Sequence, residues 1–231
     1  MSMPRNLLAE IQQGKALKKS IGERGHPNLI FADRAIDHVR STCGILAANR
    51  DADQAMWKLK NPELDMDQTY ERAQDDVDLN TPKIVKKIPF GTEEIIDPKD
   101  KVKAQATYTR QYKVGNCEYQ ASLAFEYLKE IGAKPLDIVF FAPFENNDRK
   151  PVKTLGKAAT ENVRPDHVFV VIGRPNGTDA TTYTTWGNDA VICDPWARRA
   201  YFARNLEFES ERLGTISAGQ IKLILQYRYT G

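Results

Sequence analysis

The stretch Gln111-Tyr112-Lys113-Val114-Gly115-Asn116-Cys117-Glu118-Tyr119-Gln120-Ala121 organises the reading of this chain. A glycine and an asparagine precede Cys117, and an amphipathic run follows it as far as Ile131. Asparagine is a favoured N-cap residue, so Cys117 is expected in the first turn of a helix. The unpaired N–H groups and the macrodipole of a helix start favour a thiolate over a thiol. The thiolate is the form that attacks carbonyl carbon. Cys117, Ala121, Ala124, Phe125, Leu128 and Ile131 recur at helical spacing, which puts the cysteine on the inward-packing face. The same pattern fits a core cysteine on an amphipathic helix, because free cysteine is among the most buried residue types.

Two later stretches weigh on that choice. Asp166 to Gly173 reads as a strand opened by His167, and Ala190 to Trp196 as a strand closed by Asp194 just before Pro195. A nucleophile at a helix start, a base on one strand and an orienting carboxylate on the next are the parts that thiol acyl transfer needs. The order Cys, His, Asp and its setting resemble the papain-like and transglutaminase-like thiol enzymes, over about Gln111 to Trp196. The resemblance implies Cys117 as nucleophile, His167 as general base and Asp194 as the residue that orients the base. It also implies Gln111, six residues before the cysteine, as an oxyanion donor. Papain itself has asparagine as third member. Aspartate is usual in transglutaminases, glutamine deamidases and several bacterial effector proteases.

Composition narrows the field. A chain of 231 residues with 41% hydrophobic and 28% charged residues suits one globular core, perhaps with a small appendage. A net charge of +2 gives no case for nucleic acid or an anionic membrane. No run approaches the roughly 18 apolar residues of a membrane span, and no ordinary secretory signal opens the chain. Cys43, Cys117 and Cys193 form no disulfide framework and no C-x-x-C pair, so a reducing compartment is expected. His26, His38 and His167 make no zinc cluster, and no Walker loop or dinucleotide fingerprint is present, so no metal or cofactor is expected.

The N-terminal stretch from Arg5 to Ser20 is the second informative one. Leu7, Leu8 and Ile11 make an apolar patch on a short helix, Gly14 is placed to end it, and Leu17-Lys18-Lys19 follows in extended chain. From Arg5 to Arg24 there are five basic residues (Arg5, Lys15, Lys18, Lys19, Arg24) against two acidic ones (Glu10, Glu23). So short a helix is marginal alone and would fold on a partner with an apolar groove and acidic ground beside it. The pattern resembles the WH2 actin-binding motif. Its apolar anchors match Leu7, Leu8 and Ile11, and its Leu-Lys-Lys signature matches Leu17, Lys18 and Lys19, with Ser20 departing at the last place. The resemblance implies actin as partner. The alternative is an amphipathic cap docked on its own domain.

Between these stretches, Gly22 to Asn28 reads as a linker, and helices are expected over about Ile30–Arg50, Asp53–Leu59 and Met66–Val77. The last is acidic and reads as a solvated face. His38 lies off the apolar stripe and reads as a surface histidine, whereas Cys43 reads as core. Asn80 to Lys103, rich in Pro, Lys, Asp and Glu, reads as loop with little regular structure, in which Lys83–Ile88 is an edge strand or an excursion. Strands are expected over Leu136–Ala142, Arg198–Ala203 and Gln220–Tyr229, a mobile loop over Glu145–Arg164, and helix or loop over Glu207–Leu213. Helices followed by consecutive strands indicate an α+β layout with a mainly antiparallel sheet. The expected organisation is a WH2-like arm (1–25), a helical region with a loop excursion (26–107) and a thiol-enzyme core of papain-like or transglutaminase-like type (108–231), with 26–231 one globular unit.

The expected function is a cysteine-dependent glutamine deamidase or transglutaminase acting on actin or an actin-associated host protein, as a bacterial effector does in host cytoplasm. A cysteine protease with the same triad and a non-enzymatic actin-monomer-binding protein are the alternatives.

Overall fold

A computed structural model describes residues 25–88, 91–143, 167–212 and 221–231. The WH2-like arm, with Leu7, Leu8, Ile11, Leu17, Lys18 and Lys19, lies outside the described residues, as does the expected loop over Glu145–Arg164. The order of elements is helix α1 (Pro27–Asp37), α2 (Asp51–Lys60), α3 (Met66–Asn80), strands β1 (Lys83–Ile88) and β2 (Gly91–Ile96), α4 (Pro98–Tyr112) and α5 (Cys117–Glu130). Strands β3 (Leu136–Pro143), β4 (His167–Ile172), β5 (Val191–Asp194) and β6 (Arg199–Phe202) follow, then α6 (Leu206–Arg212) and β7 (Ile221–Tyr229).

The fold is α+β with two antiparallel sheets, a β1–β2 hairpin and a five-stranded sheet in the order β6-β5-β4-β3-β7. The large sheet is buried on both faces, which is why β4 reads as the continuous apolar run Val168-Phe169-Val170-Val171-Ile172. Val168, Val170, Ile172 and Cys193 pack on one face with Leu29 and Ala32 of α1 and with Leu123, Phe125 and Leu128 of α5. Phe169, Val171 and Ile192 pack on the other with Trp186 and Leu206. Each such fully buried Leu or Phe contributes about 1.5–3 kcal/mol. Val102 and Ala106 of α4 join the first cluster, so residues from 26–107 and from 108–231 share one core.

Three expectations are corrected. The first is the 80–103 loop: Lys83–Ile88 is a strand, as one of its two readings allowed, but it pairs in a hairpin that is followed by a 15-residue helix. Asp97-Pro98 is a helix start: Asp97 accepts a hydrogen bond from the Lys99 N–H, and proline takes a first-turn position where no N–H is needed. The hairpin escapes the alternation test because it is largely exposed, with Ile84 at 48% and Val85 at 65%. The second is the long Ile30–Arg50 helix. It begins earlier, at Pro27 inside the expected linker, and leaves α geometry at a π turn (His38–Thr42) where the Cys43 N–H donates to the His38 carbonyl. The third follows from that turn. His38 is half-buried, stacked on Tyr127 at 4.1 Å and 3.4 Å from the Cys43 sulfur, and is not a solvated surface residue.

Candidate active site

Cys117 opens α5, and what precedes it fixes its position. Helix α4 ends where Lys113 takes a left-handed conformation (φ 61°). The next residue, Val114, forms a parallel bridge with Leu46, held by the Leu46 N–H to the Lys113 carbonyl and the Gly115 N–H to the Leu46 carbonyl. Gly115 must lack a side chain, because a Cβ there would stand 2.7 Å from the Tyr119 Cβ. Gln120 closes the turn by donating to the Gly115 carbonyl at 2.8 Å, and it accepts from Arg40. Asn116 occupies the N-cap position as expected, but its side chain makes no capping hydrogen bond.

Strand pairing brings the other two residues to Cys117. β4 and β5 are antiparallel neighbours, which sets His167 at the start of one beside Asp194 at the end of the other. The His167 Nε2–H donates to Asp194 Oδ2 at 2.6 Å. Asp194 is fully buried, and its Oδ1 accepts from the Ala197 N–H at 2.9 Å. The imidazole is buried, and Cys117 lies close enough to help hold its proton. Cys117 is partly exposed, whereas Cys43 and Cys193 are buried. Cys193 turns to the helix-covered face, away from Asp194, as strand alternation requires.

Burial works against a charged His167, but the Asp194 carboxylate and its hydrogen bond, with the Cys117 contact, outweigh it and raise the pKa from 6.5 to about 10. The unfolded imidazole titrates near 6.5, so the native state holds this proton more tightly than the unfolded state does. The resulting stabilisation is fully present below pH 6.5 and is lost as pH rises through about 10. Thermal unfolding from pH 6.5 to 10 is expected to show a falling Tm in the wild type and a flatter profile in His167→Gln. A wild-type Tm that is level across this window would contradict the charged pair.

Side chains from distant elements brace the site. Trp196 stands edge-on to His167, with ring centroids 5.3 Å apart. Its indole N–H donates to Asn49 at 2.9 Å, and the Arg50 guanidinium lies over its ring at 5.0 Å while bonding its carbonyl. Arg198, in the turn that follows Asp194, donates to buried Asp53, which also accepts from Arg40 and from the Ala47 N–H. The partners of these contacts lie up to 147 residues apart, and no local pattern announces them. Gln111 is exposed on the last turn of α4, and among the described residues no hydrogen bond ties its amide to Cys117.

Among the described residues no group of three or more His, Cys, Asp or Glu gathers to hold a metal. None of their helices is long and apolar enough to cross a membrane. Two shallow concavities, of about 450 Å³ beside Trp57 and Met66 and about 360 Å³ beside Arg40 and Arg198, are lined by none of Cys117, His167 and Asp194. Comparison with family models, with curated proteins and with solved structures returns no match.

Proposed function

We propose that this chain is a cysteine-dependent acyl-transfer enzyme of papain-like or transglutaminase-like type, a glutamine deamidase or transglutaminase. The observation that carries the reading is the buried imidazole bonded to a fully buried carboxylate, with the partly exposed Cys117 near enough to raise its pKa. A core cysteine needs no such partner, and a structural histidine needs no thiol. His167, holding its proton near Cys117, is placed to serve as the acid of thiol acyl transfer.

Cys117 Sγ attacks a carboxamide carbon, and the carbonyl electron pair moves to oxygen, where the Cys117 backbone N–H and the amide of Gln111 are the proposed donors. The C–N bond then breaks as His167 delivers its proton to the nitrogen, releasing ammonia and leaving a thioester. Water resolves the thioester to a carboxylate, or a lysine amine resolves it to a cross-link. Asp194 keeps the imidazole oriented throughout.

The WH2-like arm supports actin, or a protein bound to it, as the target. An arm that binds the substrate raises its local concentration at Cys117. Such a combination resembles bacterial effectors that act on the host cytoskeleton. Mass spectrometry of monomeric actin and of cell lysate, incubated with wild type and with Cys117→Ala, tests this. A gain of about one dalton at a glutamine, or a new cross-link, in the wild type alone is the expected result. A cut chain would make the protein a protease, and no change in either sample would leave only an actin-binding role.

A further inference from the structure

The groove of about 360 Å³ beside Arg40 and Arg198 carries three cations in its lining, Arg40, Lys60 and Arg198, against one carboxylate, Asp53. Ala52, Met56 and Lys60 recur at every fourth position of α2, so one face of that helix lines the groove along its length. From Ala52 to Lys60 this face runs about 12 Å, the length of three or four residues of extended chain. The charges are not evenly spent. Asp53 is buried and fully engaged, accepting from Arg40, from the Ala47 N–H and from Arg198. Arg40 is buried with it and gives its other terminal nitrogen to Gln120. Arg198 differs. Its side chain is 53% exposed and bonds Asp53 through Nη2, and its remaining guanidinium N–H groups have no partner among the described residues. Lys60 is exposed, and it too has no ion pair or hydrogen bond among the described residues. Arg198 also holds a left-handed backbone, φ 58°, a conformation that glycine adopts freely and other residues rarely. Non-glycine residues kept in that region cluster at functional sites.

The groove therefore offers two cations with N–H groups to give, next to the exposed thioether of Met56 and the side chain of Leu46. The complementary ligand is a carboxylate with an apolar neighbour: the carboxylate pairs with the cations, and the neighbour covers Met56, whose flexible side chain adapts to what it packs on. The groove also adjoins the candidate active site on two sides. Arg40 donates to Gln120, one turn beyond Cys117 on α5, and Arg198 lies in the turn that follows Asp194. We propose that this groove is the docking subsite for an acidic, apolar-flanked segment of the substrate protein, with its carboxylate on Arg198 and Lys60 and its apolar side chain on Met56. Calling the bound segment a substrate rests on the thiol acyl-transfer reading above, whereas its binding does not require Cys117.

The test measures binding first, by fluorescence anisotropy on the full chain carrying Cys117→Ala. The probes are the labelled peptide Leu-Glu-Leu-Gly-Gln-Gly-Leu-Glu-Leu and the same peptide with serine in place of each glutamate. The acidic peptide is expected to bind about tenfold more tightly, the worth of one charge-assisted hydrogen bond. Arg198→Gly removes a cation and suits the left-handed backbone, so the variant should fold, and it is expected to lose about that tenfold. Lys60→Ala, at a more exposed position, is expected to lose about threefold. Lys58→Ala makes the same charge change on the other face of α2, beside Trp57, and should leave the affinity unchanged. Equal affinity for the two peptides overturns the proposal. So does a loss in Lys58→Ala as large as in Arg198→Gly, which would mean attraction to overall charge, or displacement of the acidic peptide by inorganic phosphate as readily as by its unlabelled form, which would mean a small-anion site. Ammonia release with Cys117 intact then separates the two readings. A higher kcat/KM for the acidic peptide, narrowed in Lys60→Ala, is the expected result. Release that is indifferent to the glutamates would remove the subsite and leave the thiol enzyme. No release from either peptide, with binding as expected, would remove the enzyme and leave a groove for an acidic partner that is not a substrate.

Discussion

Cys117→Ala is expected to reduce glutamine-peptide turnover by about 10⁶-fold, and His167→Ala by nearly as much, with the double variant no worse than either single one. The non-additivity is the informative part. His167 bonds the Asp194 carboxylate and lies near Cys117, so on the proposed reading the residues act as one unit and removing either disables it. No other thiol can substitute, because Cys43 and Cys193 are buried and Cys193 packs on the far side of β5 from Asp194. Cys117 is partly exposed, so the alanine variant should fold normally, which circular dichroism would check. Ammonia release measured on the singles and the double decides the matter. Losses that multiply would mean that the two residues act independently, and residual activity above about one per cent in Cys117→Ala would place the nucleophile elsewhere.

Asp137→Ala is expected to cost about 3–5 kcal/mol of folding stability, the usual result of leaving buried cationic partners uncompensated. Asp137 lies on β3 and is fully buried. It accepts from Arg174 Nε at 2.8 Å and Nη2 at 3.1 Å, and from Arg228 Nη1 at 2.9 Å on both oxygens. Arg174 follows β4 and Arg228 lies on β7, so one carboxylate joins the strands on either side of β3. Its removal leaves the Arg174 guanidinium, 4% exposed, with Thr178 as its one hydrogen-bond partner among the described residues. Since native domains are stable by about 5–15 kcal/mol, the loss takes a large share of the total. Urea unfolding of wild type and variant measures it. A difference under about 1 kcal/mol would show that the strands are held by apolar packing alone.

What the sequence disclosed depended on how each element meets solvent. Helix α5 was legible because it is buried along one stripe, and β4 because it is buried on both faces. The helix-to-strand order then sufficed to bring Cys117, His167 and Asp194 into one reading. Helix α4 was illegible because its start is built from Asp97-Pro98, the same pair that ends other helices. The groove along α2 escaped notice because it depends on Arg40 and Arg198 meeting at Asp53, which no periodicity encodes. Trp196 stood in plain view beside Asp194, but its role depends on Asn49 and Arg50, which reach it only through the tertiary fold.

The bridge between Leu46 and Val114 also sets an order in time. It joins positions 68 residues apart, and the Cys117 turn is not fixed until that loop has closed. The His167–Asp194 contact must then form between strands that emerge later still. Long-range closures of this kind are the slow steps of folding. A chain emerging N-terminus first therefore presents Cys117 before His167 and Asp194 have been made. The three residues come together only after residue 194 has joined the sheet, so on the proposed reading a partly made or partly unfolded chain has no assembled site.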